Sequence, residues 1–258
     1  MLPVPVDEQG ICTNLLPFGA TFAYITPSHQ NPVGGTLPLE RREQVLAWAR
    51  DNGTYVIEDD IAWEFHYDNS QPPALKALDR DGLVIYCGSF SLTLGAGLRL
   101  GFLVLPRELA HAALSAKTLL DGGCPWLEQV ALANLMETGS FARHVAHLRK
   151  QFHERRDCLI ATLRQRFDGM EVIGTLAGIH VGLVLPDGAP DATVIQQSGA
   201  AKGIGIHVTR PCSFGTACAS RYRQRTLFLG YGALSVDRIE AAIDRLAEVV
   251  DGCYRLPR

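Results

Sequence analysis

The sequence predicts an α/β fold, with a mainly parallel sheet in the first part of the chain and a compact α+β lobe in the last. Between Phe22 and Leu105, short apolar runs alternate with a segment of helical spacing, the pattern of strands joined by crossover connections. A long stretch of helical periodicity then runs to about Phe167, as a connector between lobes would. Beyond it the pattern changes to short strand-like runs mixed with two helices. The expected division is 1–165 for the first unit with its connecting helix and 166–258 for the second.

The elements follow in order. Phe22 to Ile25 reads as a strand leading into TPSHQNPVGG, whose Pro, Asn and Gly make a functional loop leaving a strand. Thr36 suits a helix N-cap and Pro38 its first turn; Val45, Leu46, Trp48 and Ala49 recur at helical spacing until Gly53. Thr54 to Asp59 is a β-branched strand ending in carboxylates, and further strands read from Leu83 to Cys87 and from Leu98 to Leu105. Helices are expected from Glu108 to Leu120 and, as one continuous piece, from Trp126 to about Phe167. The last part should hold strands at MEVIG, GIHVGLVL, IGIHV and TLFLGY, a helix near Asp191 to Lys202, and a final helix from Ser235 to about Val250.

The chain has 258 residues, 47% of them hydrophobic, enough for a sizeable core. Lys+Arg 24 nearly balances Asp+Glu 27, and a net charge of -3 gives no electrostatic case for direct nucleic-acid binding or an anionic membrane surface. Seven cysteines, with no C-x-x-C pair, argue against a closed disulfide framework and fit a reducing cytoplasm. No stretch is apolar for long enough to span a bilayer, and MLPVPVDEQG lacks the regions of a secretory leader.

Three loop signatures carry the chemistry: Gln30-Asn31-Pro32-Val33-Gly34, then Glu58-Asp59-Asp60, then Ser89-Phe90-Ser91-Leu92-Thr93-Leu94 continuing to Gly97-Leu98-Arg99-Leu100-Gly101. Each alone is ordinary loop chemistry, because Asn-Pro makes turns and Asp ends strands. In this order and spacing they resemble the fold-type I aminotransferases that use pyridoxal 5'-phosphate (PLP), and in particular the aminotransferase-like domain of MocR/GabR-type bacterial regulators. The resemblance runs from VPVDEQG through LERREQVLAWARDNG and ALKALDRDG to the last helix.

The resemblance implies a partial fold-type I large domain, a C-terminal small domain, and a role for each matching residue. Asp59 would pair with the pyridine nitrogen of PLP and keep it protonated, so that the ring can accept electrons. Asn31 would donate to the 3-oxygen of the ring. Ser89 and Arg99 would hold the phosphate, a hydroxyl and a guanidinium fork suited to a dianion. The Schiff-base lysine of the family falls at Leu92, and an isobutyl group can neither attach the cofactor nor carry a proton. No catalytic residue is therefore assigned. Ile61 stands where the family usually has a tyrosine, and Phe228 where many members have a carboxylate-binding arginine, with Arg223 or Arg225 nearby.

These matches imply amino-group transfer between an amino acid and a 2-oxo acid, impaired here in turnover. The alternative is a non-catalytic sensing domain of a regulator lacking its DNA-binding part. Relatives carry a further segment ahead of VPVDEQG, so the pocket is expected to be incomplete, and a homodimer is implied by analogy. Gly95-Ala96-Gly97 is no dinucleotide loop, because a strand rather than a helix follows. His144, His147 and His153 read as a solvated helix face without a metal, Cys212 and Cys218 carry no assigned chemistry, and none of Lys76, Lys117, Lys150 and Lys202 lies in a loop expected at the ring.

Overall fold

In the computed structural model, residues 1–67, 72–209, 222 and 225–254 are described. The chain opens with a small antiparallel pair, β1 (Val6–Asp7) and β2 (Gly10–Ile11). The principal sheet then forms from β3 (Phe22–Ile25), helix α1 (Leu39–Asn52), β4 (Tyr55–Asp59), the short α2 (Leu75–Leu78), β5 (Val84–Ser89), the single turn α3 (Ser91–Leu94) and β6 (Gly101–Val104). Its order is β3-β4-β5-β6, parallel across the first three strands, while β6 runs antiparallel to β5 with Ser89 opposite Gly101. The expected mainly parallel sheet is present.

Helices α4 (Arg107–Asp121), α5 (Trp126–Glu137) and α6 (Ser140–Arg166) follow. A second, antiparallel sheet has the order β7 (Glu171–Ile173), β8 (His180–Val184), β9 (Thr226–Gly230), with α7 (Ala192–Ala201) between its last two strands and α8 (Val236–Tyr254) after them. Its core is continuous: Leu159 and Leu163 of α6, Val181 and Leu183 of β8, Ile195 of α7, Leu227 and Leu229 of β9, and Ile239, Ile243 and Leu246 of α8 form one buried cluster. A smaller cluster of Ile25, Leu37, Val45, Ala49, Val56, Leu75 and Val84 packs α1 against the principal sheet.

Four expectations need correction. The residue capping α1 is Pro38 and no side chain caps the helix; Thr36 instead donates its hydroxyl to Ser28 O at 3.1 Å, inside the loop. The periodic run from Trp126 is two helices, because Gly139 takes a left-handed conformation (φ 69) and turns the chain between α5 and α6. IGIHV is no strand; it contributes one isolated bridge, His207 to Phe228. The stretch before β6 is a turn of 3-10 helix, Ala96–Leu98, so the strand begins at Gly101 rather than Leu98. The helix expected near Asp191 to Lys202 is present as α7, and Asp191 caps it, accepting from Thr193 N at 2.7 Å.

Candidate functional site

The carboxyl ends of β3 and β4 open on a cavity of about 930 Å³, the expected location for a ligand in a parallel sheet. Asn31, Asp59 and Leu92 all line it, together with Tyr24, His29, Asp60, Ile61 and His180. Asn31, Asp59 and Leu92 belong to the three separate loop signatures. Ser89 and Arg99 are not among the lining residues. Ser89 sits at the end of β5, where its hydroxyl oxygen accepts from Ser91 N at 3.2 Å. Arg99 is exposed at the end of the Ala96–Leu98 turn and borders a second cavity of about 670 Å³ beside α4 and α5. Its backbone is left-handed (φ 52), a conformation that costs a non-glycine residue about 1–3 kcal/mol and that clusters at functional loops.

The loop after β3 is built by its own polar groups. Thr26 Oγ1 accepts from Asn31 N at 3.1 Å, Gln30 Oε1 accepts from Val33 N at 2.9 Å, and Gln30 N donates to Gly35 O at 2.7 Å. Arg42, fully buried on α1, pins the loop from behind. It donates to Pro27 O at 3.0 Å, to Leu37 O at 2.8 Å and to Pro73 O at 3.1 Å. Its guanidinium lies 3.7 Å from Glu58, whose carboxylate accepts from Leu75 N and Lys76 N at 2.8 Å each. A buried ion pair with its remaining groups satisfied fixes geometry more than it stabilises. Asp59, next along the strand, inherits that rigidity.

Asp59 Oδ2 accepts from the Tyr24 hydroxyl across the β3–β4 pair, and both burial and the carboxylate push that hydroxyl's pKa up. Asp59 Oδ1 is buried without a partner. Asp60, just past the end of β4, is only 4% exposed: it accepts from the Tyr86 hydroxyl at 3.2 Å, and burial raises its pKa against the opposing pull of the Ser28 and Tyr86 hydroxyls. Leu92 occupies the α3 turn, half-buried, packed against the large C-terminal core cluster as well as lining the cavity. His144 of α6 bonds this turn, its Nε2 lying 2.7 Å from Thr93 O, and like His147 and His153 it is otherwise exposed, as a solvated helix face requires.

The opposite wall comes from the second sheet. His180 of β8 bonds Pro32 O at 3.0 Å and meets His29 edge-on, ring centroids 4.7 Å apart. Phe228 is buried against His180, and Arg225 is spent on Asp187 (2.6 Å) and Leu185 O (2.7 Å). Neither lines the cavity. Arg223, Cys212 and Cys218 lie outside the described residues. Sequence reading did not single out His29, Asp60, Tyr24, Arg42 or His180; His29 and Asp60 lie within or beside the loop signatures, whereas Tyr24, Arg42 and His180 lie outside them and carry no local signal.

The family model for aminotransferase class I and II matches residues 19–246. The chain belongs to this family. It is 32% identical over 250 residues to the uncharacterized HTH-type transcriptional regulator YhdI of Bacillus subtilis, covering 95% of this chain and 51% of YhdI. It is 31% identical over 167 residues to the probable rhizopine catabolism regulatory protein MocR of Rhizobium meliloti, covering 64% of this chain and 34% of MocR. Of solved structures, LysN, the α-aminoadipate aminotransferase of Thermus thermophilus complexed with N-(5'-phosphopyridoxyl)-L-leucine, superimposes with a TM-score of 0.85 at 28% identity, over 99% of this chain and 66% of LysN. The fold is that of the PLP-dependent aminotransferases, fold type I. The chain spans about half the length of YhdI, 51%. No helix among the described residues is long and apolar enough to cross a membrane.

Proposed function

We propose that this aminotransferase-like domain holds PLP without covalent attachment and is impaired in amino-group transfer. The observation that carries the reading is the cavity wall itself: Asn31 and Asp59 line it with an unpartnered buried carboxylate oxygen, and the third lining position, Leu92, is aliphatic. A buried carboxylate oxygen without a donor costs about 1–3 kcal/mol or more, and a protonated ring nitrogen is the donor it fits. Asp59 would take that nitrogen and Asn31 the ring's 3-oxygen; Ser89 and Arg99, which the motif assigns to the phosphate, lie outside the lining of this cavity. When bound, the cofactor supplies an electron-accepting ring.

The chain's own residues supply orientation without turnover. Tyr24 fixes the second oxygen of Asp59, and the Arg42–Glu58 pair holds the strand end behind it. Leu92 excludes water from its part of the wall but can neither take up nor deliver a proton. None of Lys76, Lys117, Lys150 and Lys202 lines the cavity; Lys76 is bonded to Val84 O at 2.7 Å and Lys117 to Asp121. An amino acid or keto acid is the ligand class expected beside the cofactor, in a cytoplasmic homodimer. Similarity to YhdI and MocR, together with Leu92, favours a second reading of the same site: an effector domain that senses a ligand for a transcription regulator.

Titrating purified protein with PLP, reducing with borohydride and mapping the peptides tests this. Saturable binding with no stoichiometric pyridoxyl group on any lysine is expected. One lysine modified in full, with transaminase turnover, overturns it.

A further inference from the structure

The principal sheet ends in two strands of equal length, β3 and β6, four residues each, and among the described residues neither has a strand on its outer side. The phase of each ladder shows which backbone groups are left over. Tyr55 N donates to Thr21 O at 3.1 Å, so in the parallel β3–β4 pair Thr21 and Ala23 face β4, while Phe22 and Tyr24 turn N–H and C=O to the open side. Phe90 N donates to Leu100 O at 3.1 Å, so in the antiparallel β5–β6 pair Phe102 and Val104 face β5, while Gly101 and Leu103 face outward. Neither strand carries a charge or a proline, the devices that keep an edge from pairing with another chain.

The two edges differ in shape. Every residue from Ala20 to Pro27 lines the cavity of about 930 Å³, and because side chains alternate along a strand, a cavity that meets all of them runs along the strand's edge. Its far wall is the segment Met1 to Val4. The edge of β3 therefore lies in a slot, and two slots cannot fill each other. β6 stands bare, with all four residues exposed, and α4 after it buries nothing.

They differ in charge as well. The slot carries Asp59 and Asp60 with no lysine or arginine, whereas the exposed Arg99 lies two residues before β6. Antiparallel pairing of β6 in the slot would set the start of β6 against the end of β3, where Asp59 closes β4, so opposite charges meet at one end of the contact. It would also keep β3, β4 and β5 of both copies pointing one way, because β6 runs against β5 in its own sheet. We propose that the open edge of β3 is a docking site for a second copy of this chain, which inserts its β6 there head to tail and continues the sheet. This goes beyond the cofactor reading and does not depend on it.

A contact between two different surfaces repeats rather than closing on itself. Sedimentation of the whole chain over a range of concentrations tests it, with Phe22→Pro and Leu103→Pro as variants that each remove one outward N–H and leave the inner ladder bonds in place. The average mass of the parent should rise with concentration, and that of each variant should not. An equimolar mixture of the two variants should reach at least about double the mass of either alone, because each keeps the edge that the other lacks. Should a proline variant not fold, Phe22→Lys or Leu103→Lys replaces it with the same expectation. A parent mass independent of concentration overturns the proposal and leaves the slot to a strand of another polypeptide. One variant associating as the parent does, the sign of an edge pairing with itself, overturns it too, as does a mixture that gains nothing.

Discussion

Helices α4 and α8 are both amphipathic by sequence, yet α8 buries Ile239, Ile243, Leu246, Val249, Val250 and Cys253 while α4 buries nothing. Their sheets differ in the same way. In β9 four of five residues are buried; in β6 all four are exposed, and Leu119 and Leu120 at the end of α4 are 86% and 84% exposed. An apolar stripe states that an element can be buried, and only a partner decides whether it is. The second sheet and its three helices α6, α7 and α8 carry their own partners, and the first sheet's far edge does not.

The largest expected effect tests that contrast directly. Leu183→Ala or Leu246→Ala should each lower unfolding free energy by about 2–5 kcal/mol in denaturant titration, whereas Leu119→Ala should change it by less than about 0.5 kcal/mol. Equal losses would show that α4 is packed in solution and would break the comparison.

Where the two regions meet, ionisation should matter as much as packing. The folded state holds His29 near 3, far below its ordinary value of 6.5. The unfolded chain therefore binds the proton first, and stability is lost as pH falls from about 6.5 toward 3, by up to about 4 kcal/mol. His29→Asn should flatten that acid limb in thermal melts; an unchanged limb would mean that His29 is solvated. Glu64, on the short turn beside Phe65, slopes the other way. Burial pushes its carboxyl up to about 7, so the unfolded chain releases the proton first and stability falls as pH rises from about 4.5 through 7. Glu64→Gln should match the parent at pH 4 and exceed it at pH 8 by about 1–3 kcal/mol.

A smaller effect sharpens the contrast further. Replacing both Leu119 and Leu120 with Ser should leave the melting temperature in place and reduce self-association seen by light scattering. A substantial drop in melting temperature would contradict the exposure described for this face.

What could be read from the sequence was local. Asn31, Asp59 and Leu92 were identifiable because each sits in a short loop signature, and the three strands β3, β4 and β5 because their short apolar runs are bounded by turns. His29 and His180 stand 151 residues apart, and nothing in either's neighbourhood signals that they meet. Asp60 was hidden by Asp59 beside it: both are carboxylates of one signature, and Asp60 lies just past the end of β4, where no strand alternation marks it. The break at Gly139 was concealed by periodicity that continues on both sides of it. Thr36 has the right chemistry for a cap, but Pro38 fixes the helix start two residues later and the hydroxyl turns into the loop. Ser89 and Arg99 keep their places in the motif, although the cavity that takes Asn31, Asp59 and Leu92 does not include them.

The central claim is that residue 92 faces the bound cofactor where an amine would be needed. Leu92→Lys, incubated with PLP, reduced and digested, measures this most directly: a pyridoxyl group on the lysine at position 92 in the variant, with no lysine of the parent modified in full, is the predicted result. A variant that binds PLP as the parent does but carries no label at that position would contradict the account.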